Sequence, residues 1–583
     1  MNIFAKKFEM RHSKAKIPMI SDATARNWRK LNPDVGEKLT SRANKRLSKK
    51  SILPLEYFLN KDNIVVIQRF VDSCKEKKYK IGDVMFSVGM NLLSKSSRRQ
   101  TVEKHSSASQ KIVASLHLDC QLISEILDYQ FPDDEIDILG LVYQMLLTEG
   151  EKNTKGSYYT PFYIAKKMTR GLDFSGNQTF FDPCCGSGIF MLALENVRPE
   201  QIFGCDNDPI AVMLAKFNLL LKFPDEDFEP QIYCCDYLKT SSPQTPESLR
   251  CLATYIISNP PWGAAVIDSE KKKISKKESF SFFFEKSFQQ LENNGIIRFL
   301  LPESIMNVKC HKSFREFLLN EGELTSISLY SDAFSGVLTK YVDIEMRRQN
   351  SGDQRVKVVE NDRTRFVSKS SFLLTKNLNF NLLSKDDEEI VRKILSRGKY
   401  TLADSIWALG VITGDNRHKL KDMQGRGLEP IFTGKEIEPY TLKTPRKFIE
   451  YKRDEFQQVA KDEIYRAEEK LVYKFISNKL VFAYDDTRSL FLNSANILIP
   501  RIPGMSMKTV LAFLNSDLYK SLYKSLFGEI KILKGNLEEL PFPEITENED
   551  QLLKDLVNEV LAGDRSKIAE IDKVINGIFL NNF

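Results

Sequence analysis

Ser258-Asn259-Pro260-Pro261-Trp262 follows directly on the apolar run Ala253-Thr254-Tyr255-Ile256-Ile257. A run of β-branched and aromatic residues that is closed by two prolines predicts a buried strand that stops abruptly. Asn259 and Trp262 are then expected on the loop beyond the carboxyl end of the strand, which is where open α/β sheets place their ligands. This stretch therefore predicts an α/β fold with a ligand site at one edge of its sheet.

The residue types of this loop suit chemistry on an exocyclic amino group of a base, whose lone pair is delocalised into the ring. Two acceptors on its N–H bonds would draw the nitrogen toward a tetrahedral geometry and localise that pair. Asn259 offers a side-chain carbonyl, and Pro260 offers a backbone carbonyl that the double proline stiffens. Trp262 supplies a flat face on which a base drawn out of the stack could rest. An ordinary strand-terminating turn is the alternative interpretation of these residues.

Three earlier segments also place polar residues at strand ends. Phe180-Phe181 leads into Asp182-Pro183-Cys184-Cys185-Gly186-Ser187-Gly188, a second strand ends at Asp206, and a third ends at Asp236-Tyr237. Glycines in the first turn allow a ligand to approach the backbone, and Asp206 lies where a carboxylate would meet ribose hydroxyls. The full G-x-G-x-x-G pattern is absent, which favours a ligand with adenosine but no pyrophosphate. S-adenosylmethionine is such a ligand.

The length of 583 residues predicts about three or four domains, and 42% apolar residues with 28% charged residues are typical of a soluble globular protein. The nine cysteines form no C-x-x-C pair, so they predict reduced thiols rather than a metal site or a disulfide framework. The sequence has no signal-peptide core and no run of the ~18 apolar residues that a membrane span needs. We expect a cytoplasmic protein with no membrane partner.

The positive charge of the chain is concentrated at its N-terminal end. Residues 1–50 carry 14 Lys/Arg against 4 Asp/Glu, a net of +10, whereas the rest of the chain carries 71 against 74, a net of −3. Within this segment, residues 17–31 predict a capped helix with Arg26, Arg29 and Lys30 exposed. The helix is similar to the recognition helix of helix-turn-helix modules, and a solvated basic helix is the alternative.

Residues 51–150 read as a helical domain that ends in the amphipathic helix 137–147. The chain then passes through Lys155-Gly156-Ser157-Tyr158-Tyr159-Thr160-Pro161 into a helix that begins after Pro161. Residues 151–375 form the alternating strand and helix domain, with a fifth buried strand at 295–302 and a closing strand pair at 326–330 and 341–346. Residues 376–583 form a separate C-terminal domain.

These motifs together resemble those of the amino-DNA methyltransferases, in the subgroup whose cofactor motifs precede the catalytic motif and whose target-recognition domain follows. The resemblance rests on Tyr158-Tyr159-Thr160-Pro161, Asp182 to Gly188, Asp206, Asp236 and Asn259-Pro260-Pro261-Trp262, which occur in the family order. It is closest to adenine-specific members of restriction-modification systems. Tryptophan is less usual than tyrosine or phenylalanine at the fourth position of the catalytic motif, and this leaves the N4 of cytosine open as the target.

The resemblance implies a Rossmann-like methyltransferase sheet with an N-terminal helical region and a C-terminal α+β target-recognition domain. It implies a catalytic role for Asn259, Pro260, Pro261 and Trp262, and stacking of the target base on Trp262 and Phe334. S-adenosylmethionine would be held by Tyr158, Thr160, Asp182, Gly186, Gly188, Asp206, Asp236 and Tyr237, and no metal is implied. The lysines that follow the catalytic motif are placed to contact DNA phosphates, with a solvated loop as the alternative: Lys271, Lys272, Lys273, Lys276 and Lys277.

The sequence thus predicts a site-specific methyltransferase that acts on the N6 amino group of a flipped-out adenine in double-stranded DNA. A cognate restriction endonuclease or other subunits of a defence complex are the expected protein partners. N4-cytosine methylation and protein-glutamine methylation are the enzymatic alternatives. A non-catalytic DNA-binding subunit of a defence complex is the alternative from another class.

Overall fold

A computed structural model describes residues 55–96, 108–148, 160–239, 252–262, 279–330, 340–349, 352, 354–528 and 531–580. The basic segment 1–50, Tyr158, Phe334 and the five lysines between positions 271 and 277 lie outside the described residues. The chain divides between Phe372 and Leu373 into two compact units. Each unit is described by itself.

The first unit is built on a nine-stranded sheet with the strand order β3-β2-β1-β4-β5-β7-β6-β8-β9. The strands are β1 (Phe180–Asp182), β2 (Ile202–Asp206), β3 (Gln231–Cys234), β4 (Ala253–Ser258), β5 (Leu291–Pro302), β6 (Glu323–Tyr330), β7 (Tyr341–Arg347), β8 (Arg355–Glu360) and β9 (Arg363–Ser368). β1 to β5 run parallel, and β7 runs antiparallel to both β5 and β6. The predicted α/β sheet is therefore confirmed, together with its fifth strand and its closing strand pair.

The parallel half of this sheet is covered on both faces, which explains its apolar strands. All three residues of β1 are buried, and in β4 Ile256 and Ile257 have no exposed surface. Parallel strands are usually buried in this way because the helices that connect them pack on the two faces. The carboxyl ends of β1 to β4 consequently meet at one edge of the sheet.

Two further strands, β8 and β9, extend the sheet beyond the predicted strand pair. β8 pairs parallel with β6, and β9 pairs antiparallel with β8. Alternate residues of β8, Val356 and Val358, are buried, whereas Arg355 and Lys357 are exposed. This alternation is typical of a strand with one solvated face.

The helices of the first unit lie before and between the strands. They are α1 (Asn63–Glu76), α2 (Ile81–Ser96), α3 (Ser124–Leu127), α4 (Ile138–Leu146), α5 (Phe162–Thr169), α6 (Ile189–Leu192), α7 (Pro209–Lys222), α8 (Ser279–Gln289) and α9 (Lys312–Asn320), and residues 108–115 are also helical. The early helices α1, α2 and α4 share a hydrophobic core with α7 of the sheet domain, through Met213, Leu214, Phe217 and Leu220. The helical region of residues 55–148 is therefore part of the same compact unit as the sheet.

The second unit contains two four-stranded sheets. One has the order β10-β17-β14-β15 and the other has the order β11-β13-β12-β16. The strands are β10 (Ile406–Leu409), β11 (Leu420–Lys421), β12 (Glu429–Phe432), β13 (Lys447–Ile449), β14 (Lys470–Lys474), β15 (Phe482–Asp485), β16 (Leu490–Phe491) and β17 (Ala495–Ile499).

The helices of this unit pack mainly against the first of its two sheets. They are α10 (Lys385–Arg397), α11 (Asn416–Lys419), α12 (Asp462–Tyr465), α13 (Met507–Asn515), α14 (Asp517–Phe527), α15 (Lys534–Leu537), α16 (Glu547–Ala562) and α17 (Lys567–Leu580). Their apolar faces form one core with β14, β15 and β17, and a second core lies between the strands of the two sheets. The predicted α+β architecture of the C-terminal part is confirmed.

Among the described residues, no helix combines the length and the apolar character that a membrane crossing requires.

Candidate active site at the carboxyl edge of the sheet

A cleft opens at the edge where β1 to β4 end. It encloses about 860 Å³ of space, counting the part that is open to solvent. Eight of the residues predicted for the site line this cleft: Thr160, Asp182, Gly186, Asp206, Asp236, Tyr237, Asn259 and Pro261. Residues that are about a hundred positions apart in the sequence are thus brought together by the parallel sheet.

Asp182 lies at the end of β1 and is 1% exposed. Its Oδ1 accepts hydrogen bonds from the Ser258 hydroxyl (2.6 Å) and from the backbone N–H of Cys184 (3.1 Å). Its Oδ2 is buried and has no hydrogen-bond partner among the described residues. Burial raises the pKa of Asp182 to about 7, while the hydrogen bond from Ser258 opposes that rise. A buried carboxylate oxygen of this kind suits a cationic or hydrogen-bonding group of a ligand.

The turn after β1 is held by the carboxylate at the end of β2. Gly186 and Gly188 have φ of +54° and +90°, which glycine adopts without strain. The N–H of Gly186 donates to Asp206 Oδ2 (2.9 Å), and the N–H of Asp208 donates to Asp206 Oδ1 (2.9 Å). Burial raises the pKa of the Asp206 carboxyl, and these two backbone hydrogen bonds lower it. Gly188 does not line the cleft; it begins α6 and packs against Ala215.

Asn259 stands on the loop after β4, next to Thr160. The side-chain amide nitrogen of Asn259 donates to Thr160 Oγ1 at 3.2 Å, and Thr160 is buried. Thr160 directly precedes Pro161, the N-cap of α5, so the start of this helix fixes the plane of the Asn259 amide. The loop itself is tied to α8, because the Ser279 hydroxyl donates to the Pro261 carbonyl.

Trp262 lies outside the lining of this cleft. Its indole N–H donates to the Leu300 carbonyl of β5 (3.2 Å), and its ring packs on the apolar cluster that contains Ile164 and Tyr341. Pro260 is buried and also does not line the cleft. The orientation of the Trp262 ring is therefore set by the neighbouring strand and not by the cleft residues.

The residues at the end of β3 differ in character. Asp236 is exposed and pairs with Lys239 at 2.9 Å. Tyr237 lines the cleft with its ring but is 2% exposed, and its hydroxyl donates to the Gln290 side chain and lies 3.2 Å from the Ser287 hydroxyl. Its contribution to the cleft is thus an apolar wall, whereas Asp236 offers a carboxylate.

Phe283 of α8 also lines the cleft, and its ring stacks on Tyr237 with centroids 5.7 Å apart. Sequence reasoning missed it because its helix carries five phenylalanines on an amphipathic pattern, which predicts core packing. Ten further residues complete the lining: Pro183, Cys184, Cys185, Ser187, Ile189, Phe190, Asn207, Asp208, Ala211 and Cys235. Only the adjacency of Cys184, Cys185, Ser187, Asn207, Asp208 and Cys235 to predicted residues could have suggested them.

Comparison with known proteins identifies two domains. Residues 134–370 match the family described as N-6 DNA Methylase, and residues 429–542 match the family described as TaqI-like C-terminal specificity domain. The Type II methyltransferase M.VspI of Vibrio sp. (strain 343) is 28% identical over 352 residues, which cover 58% of this chain and 84% of that protein.

The Type I restriction enzyme MjaVII methylase subunit of Methanocaldococcus jannaschii is 30% identical over 156 residues, which cover 25% of this chain and 26% of that subunit. Among solved structures, the Type IIL restriction-modification enzyme MmeI in complex with DNA superposes with a TM-score of 0.54 at 12% identity. That superposition covers 78% of this chain and 80% of MmeI. At this identity the likeness to MmeI is one of fold.

Proposed function

Because the chain belongs to the restriction-modification DNA methyltransferases, with an N-6 DNA methylase domain and a TaqI-like specificity domain, we propose that it methylates adenine N6 within a specific DNA sequence. The observation that carries this proposal is the placement of Asn259 beside Thr160 at the cleft that Asp182 and Asp206 line. An amide acceptor then stands next to a site with the residue types of an adenosine and amino-acid binding pocket. The proposed methyl donor is S-adenosylmethionine.

The residues of the cleft fit this donor. The unpartnered, buried Oδ2 of Asp182 would face the ammonium group of its amino acid. Asp206, which also holds the Gly186 turn, would accept from the ribose hydroxyls, and Phe283 with Tyr237 offers an apolar aromatic wall for the adenine. Asp236 and the backbone of Gly186 complete the polar lining. When bound, the donor supplies a methyl group that its sulfonium already activates.

The chain's own contribution to the reaction is orientation of the target amino group. The Asn259 side-chain oxygen and the Pro260 carbonyl would accept its two N–H bonds, which localises the nitrogen lone pair toward the methyl group. The acceptors stabilise the positive charge that develops on the nitrogen, so they act mainly in the transition state. Trp262 would stack on the extruded base, with its indole held by Leu300. Phe334 and the five lysines between positions 271 and 277 keep their proposed roles toward the base and the phosphates.

We place the reading of the DNA sequence in the C-terminal specificity domain. The structural neighbour MmeI has been determined in complex with DNA, and its superposition covers 78% of this chain. Several relatives are methylase subunits of restriction enzymes. A restriction subunit or nuclease is therefore a proposed partner, and double-stranded DNA the proposed substrate.

The test is incubation of the purified chain with S-adenosylmethionine and a genomic DNA of mixed sequence, followed by sequencing of modified bases. We expect N6-methyladenine within one short motif, and none after incubation of the Asn259→Ala variant. N4-methylcytosine in a motif would move the target to cytosine, which the tryptophan of the catalytic motif leaves open. DNA that stays unmodified, with a protein substrate labelled in its place, would favour glutamine methylation. Binding of DNA without any transfer would favour a non-catalytic subunit.

A further inference from the structure

The first turn of α4 reaches directly into the glycine turn of the cleft. Asp137, the N-cap of α4, accepts from the Gly140 N–H (2.8 Å) through Oδ1 and from the Ser187 hydroxyl (2.5 Å) through Oδ2. Asn218 of α7 donates from its amide nitrogen both to Asp137 Oδ1 (2.8 Å) and to the Ser187 carbonyl (2.9 Å). Ser187 lies between Gly186 and Gly188. Its side chain is held by Asp137 of α4, and its backbone carbonyl is held by Asn218 of α7.

The same helix fastens the neighbouring loop. The Tyr143 hydroxyl donates to Asp208 Oδ2 at 2.7 Å, and Tyr143 is 1% exposed. Asp208 Oδ1 caps α7 by accepting from the Ile210 N–H (3.0 Å), while the Asp208 N–H donates to Asp206 (2.9 Å). Tyr143 therefore acts on the loop that presents the Asp206 carboxylate.

A glycine in α4 permits the close approach that these contacts require. A Cβ at Gly140 would lie 2.1 Å from Asp137 Oδ2 and 2.5 Å from the Ser187 hydroxyl. Glycine inside a helix costs roughly 0.5–1 kcal/mol relative to alanine, so its presence needs a packing reason. Burial raises the pKa of the Asp137 carboxyl, and the three donors around it lower that pKa. Burial of the Asp137 carboxylate is unfavourable by itself, and the three hydrogen bonds that it accepts offset this cost.

The segment before α4 is tied in turn to the start of α1. Glu135 is buried and accepts from the backbone N–H groups of Leu59 (3.0 Å) and Asn60 (3.1 Å). The Asn63 side chain donates to both Asp134 (2.7 Å) and Glu135 (2.9 Å). Residues 134–137 therefore connect the N-terminal helices to the glycine turn without a break.

We propose that α4 is a two-point clamp on the cofactor site, in which Asp137 and Tyr143 are positioning residues that hold the Gly186–Gly188 turn and the Asp206–Asp208 loop in their binding arrangement. The helical region of residues 55–148 thereby sets the affinity for the methyl donor without touching it. This inference rests on the proposed function, because it takes the cleft as the S-adenosylmethionine site.

Three small substitutions in the full chain test the clamp: Ser187→Ala, Tyr143→Phe and Asp137→Asn. Each removes or weakens one hydrogen bond at constant shape, so we expect the Kd and the KM for S-adenosylmethionine to rise roughly 5- to 20-fold. The KM for DNA should stay within about twofold, and kcat at saturating donor should change little, because the positioned loops bind the donor and not the target base. Calorimetry gives the Kd, and initial rates give the two KM values.

Tyr129→Phe is the matched control. Its hydroxyl donates to the Val66 carbonyl (2.9 Å), and its ring contacts Phe70 and Phe131, all within the same helical region. We expect Tyr143→Phe to lower the Tm more than Tyr129→Phe, because the Tyr143 hydroxyl is buried and donates to a carboxylate, and we expect donor affinity to change in Tyr143→Phe alone. An equal loss of donor affinity in both variants would overturn the clamp, because it would reduce the effect to general stability.

A double-mutant cycle separates the two contact points. Asp137→Asn combined with Ser187→Ala should cost little more than either change alone, since both remove the same contact, whereas Ser187→Ala combined with Tyr143→Phe should be additive. If Asp137→Asn fails to fold, Ser187→Ala and Tyr143→Phe decide the question by themselves. If both of these variants bound the donor with wild-type affinity, the clamp would be refuted and the proposed function would stand. If the unmodified chain bound no S-adenosylmethionine, the proposed function itself would be refuted.

Discussion

At the scale of single residues, Asp182 is the group with the most unusual environment in the cleft. Its neighbours satisfy one carboxylate oxygen and leave the other buried. Since burial raises its pKa to about 7, a large fraction of the free protein carries this carboxyl protonated near neutral pH. A cationic ligand would bind to the ionised form and release the proton.

The affinity for S-adenosylmethionine should consequently depend on pH with a maximum near pH 7 to 8. Below the pKa of about 7, Asp182 becomes protonated and loses its attraction for the ammonium group, so the affinity should fall up to roughly tenfold per pH unit. Above about pH 8 the amino group of the ligand itself loses its proton. Calorimetry between pH 5.5 and 9, in buffers of different ionisation enthalpy, measures both the affinity and the released proton.

The control ligand for this pH profile is 5′-methylthioadenosine, which lacks the amino acid. Its affinity should show no fall on the acid side, and Asp182→Asn should remove that fall for S-adenosylmethionine as well. A parallel acid fall for both ligands would assign the titration to another carboxyl of the cleft.

Asn259 differs from Asp182 in that its proposed role belongs to the transition state. Asn259→Ala should bind S-adenosylmethionine with nearly wild-type affinity and lose several orders of magnitude in kcat, because the amide acceptor stabilises charge that develops only during transfer. Single-turnover transfer and calorimetry separate the two effects. Thr160→Ser keeps the hydroxyl that receives the Asn259 amide at 3.2 Å and should retain most activity. Unchanged turnover in Asn259→Ala would remove this residue from the chemistry.

At the scale of elements, the placement of α5 depends on a buried ion pair. Arg298 of β5 donates from Nε to Asp343 of β7 at 2.7 Å, and Asp343 is 1% exposed. The same guanidinium donates to the Met168 carbonyl (3.0 Å) and to the Lys167 carbonyl (3.3 Å) at the end of α5. One side chain thus fixes the C-terminal end of the helix whose N-terminal end presents Thr160.

Arg298→Ala should destabilise the first unit by roughly 3–5 kcal/mol, because it leaves the Asp343 carboxylate buried without its counter-charge. Lys166→Ala is the control on the same helix: its pair with Glu195 is 3.4 Å long with both side chains mostly exposed, and such pairs contribute about 0–1 kcal/mol. Denaturant unfolding of both variants provides the comparison. Equal, small losses would show that α5 is held by its apolar face alone.

At the scale of the whole molecule, the chain separates into two units with their own hydrophobic cores. The boundary after Phe372 matters for any truncation, because α10 packs against the C-terminal helix α17. Lys393 donates to the Leu580 carbonyl (2.8 Å), and Arg397 donates to the Ile578 carbonyl (2.7 Å). A truncation point within residues 373–400 would therefore leave the second unit incomplete.

Removal of residues 373–583 should abolish the preference for the cognate DNA sequence, while removal of residues 1–50 should weaken all DNA binding and flatten its salt dependence. The reason is that the net charge of +10 in the N-terminal segment acts through phosphates, which are the same in every sequence, whereas discrimination needs groove contacts worth about 1–3 kcal/mol per base pair. Binding to cognate and scrambled duplexes at several salt concentrations distinguishes the two effects. Donor affinity, measured in each truncation, verifies that the first unit is intact. If removal of residues 1–50 abolished the preference for the cognate sequence and left the salt dependence of binding unchanged, the N-terminal segment would be the part that recognises the DNA sequence.

Much of this protein could be inferred from local pattern in the sequence. The strands that end at Asp182, Asp206 and Ser258 are apolar runs closed by glycine, aspartate or proline, and these signals act within a few residues. The parallel order then requires that their carboxyl ends meet at one edge, so the main polar residues of the cleft were predictable. The structure confirms the sheet, and eight of the predicted site residues line one cleft, whereas Gly188, Pro260 and Trp262 do not.

The contacts that hold the cleft in shape could not be read from the sequence. Ser187 with Asp137, Asp208 with Tyr143, and Arg298 with the end of α5 join residues 50 to 131 positions apart. Such pairs leave no periodic signal, because each depends on how two elements are packed and not on the local preference of either. Phe283 was missed for the same reason, since a phenylalanine on an amphipathic helix predicts a core position whether or not a cleft lies beside it.

The sequence by itself thus determined the class of the sheet, the order of its motifs and the residue types offered at its edge, because hydrophobic period and turn chemistry are local properties. Only the tertiary structure decided that the helices of residues 55–148 share a core with the sheet domain, and that their last helix bonds to both the Gly186–Gly188 turn and the Asp206–Asp208 loop. The physical reason is that burial and hydrogen-bond partnership are settled when elements meet. The role of the Asp137 carboxylate, for example, depends on the Ser187, Gly140 and Asn218 groups that donate to it in the folded chain.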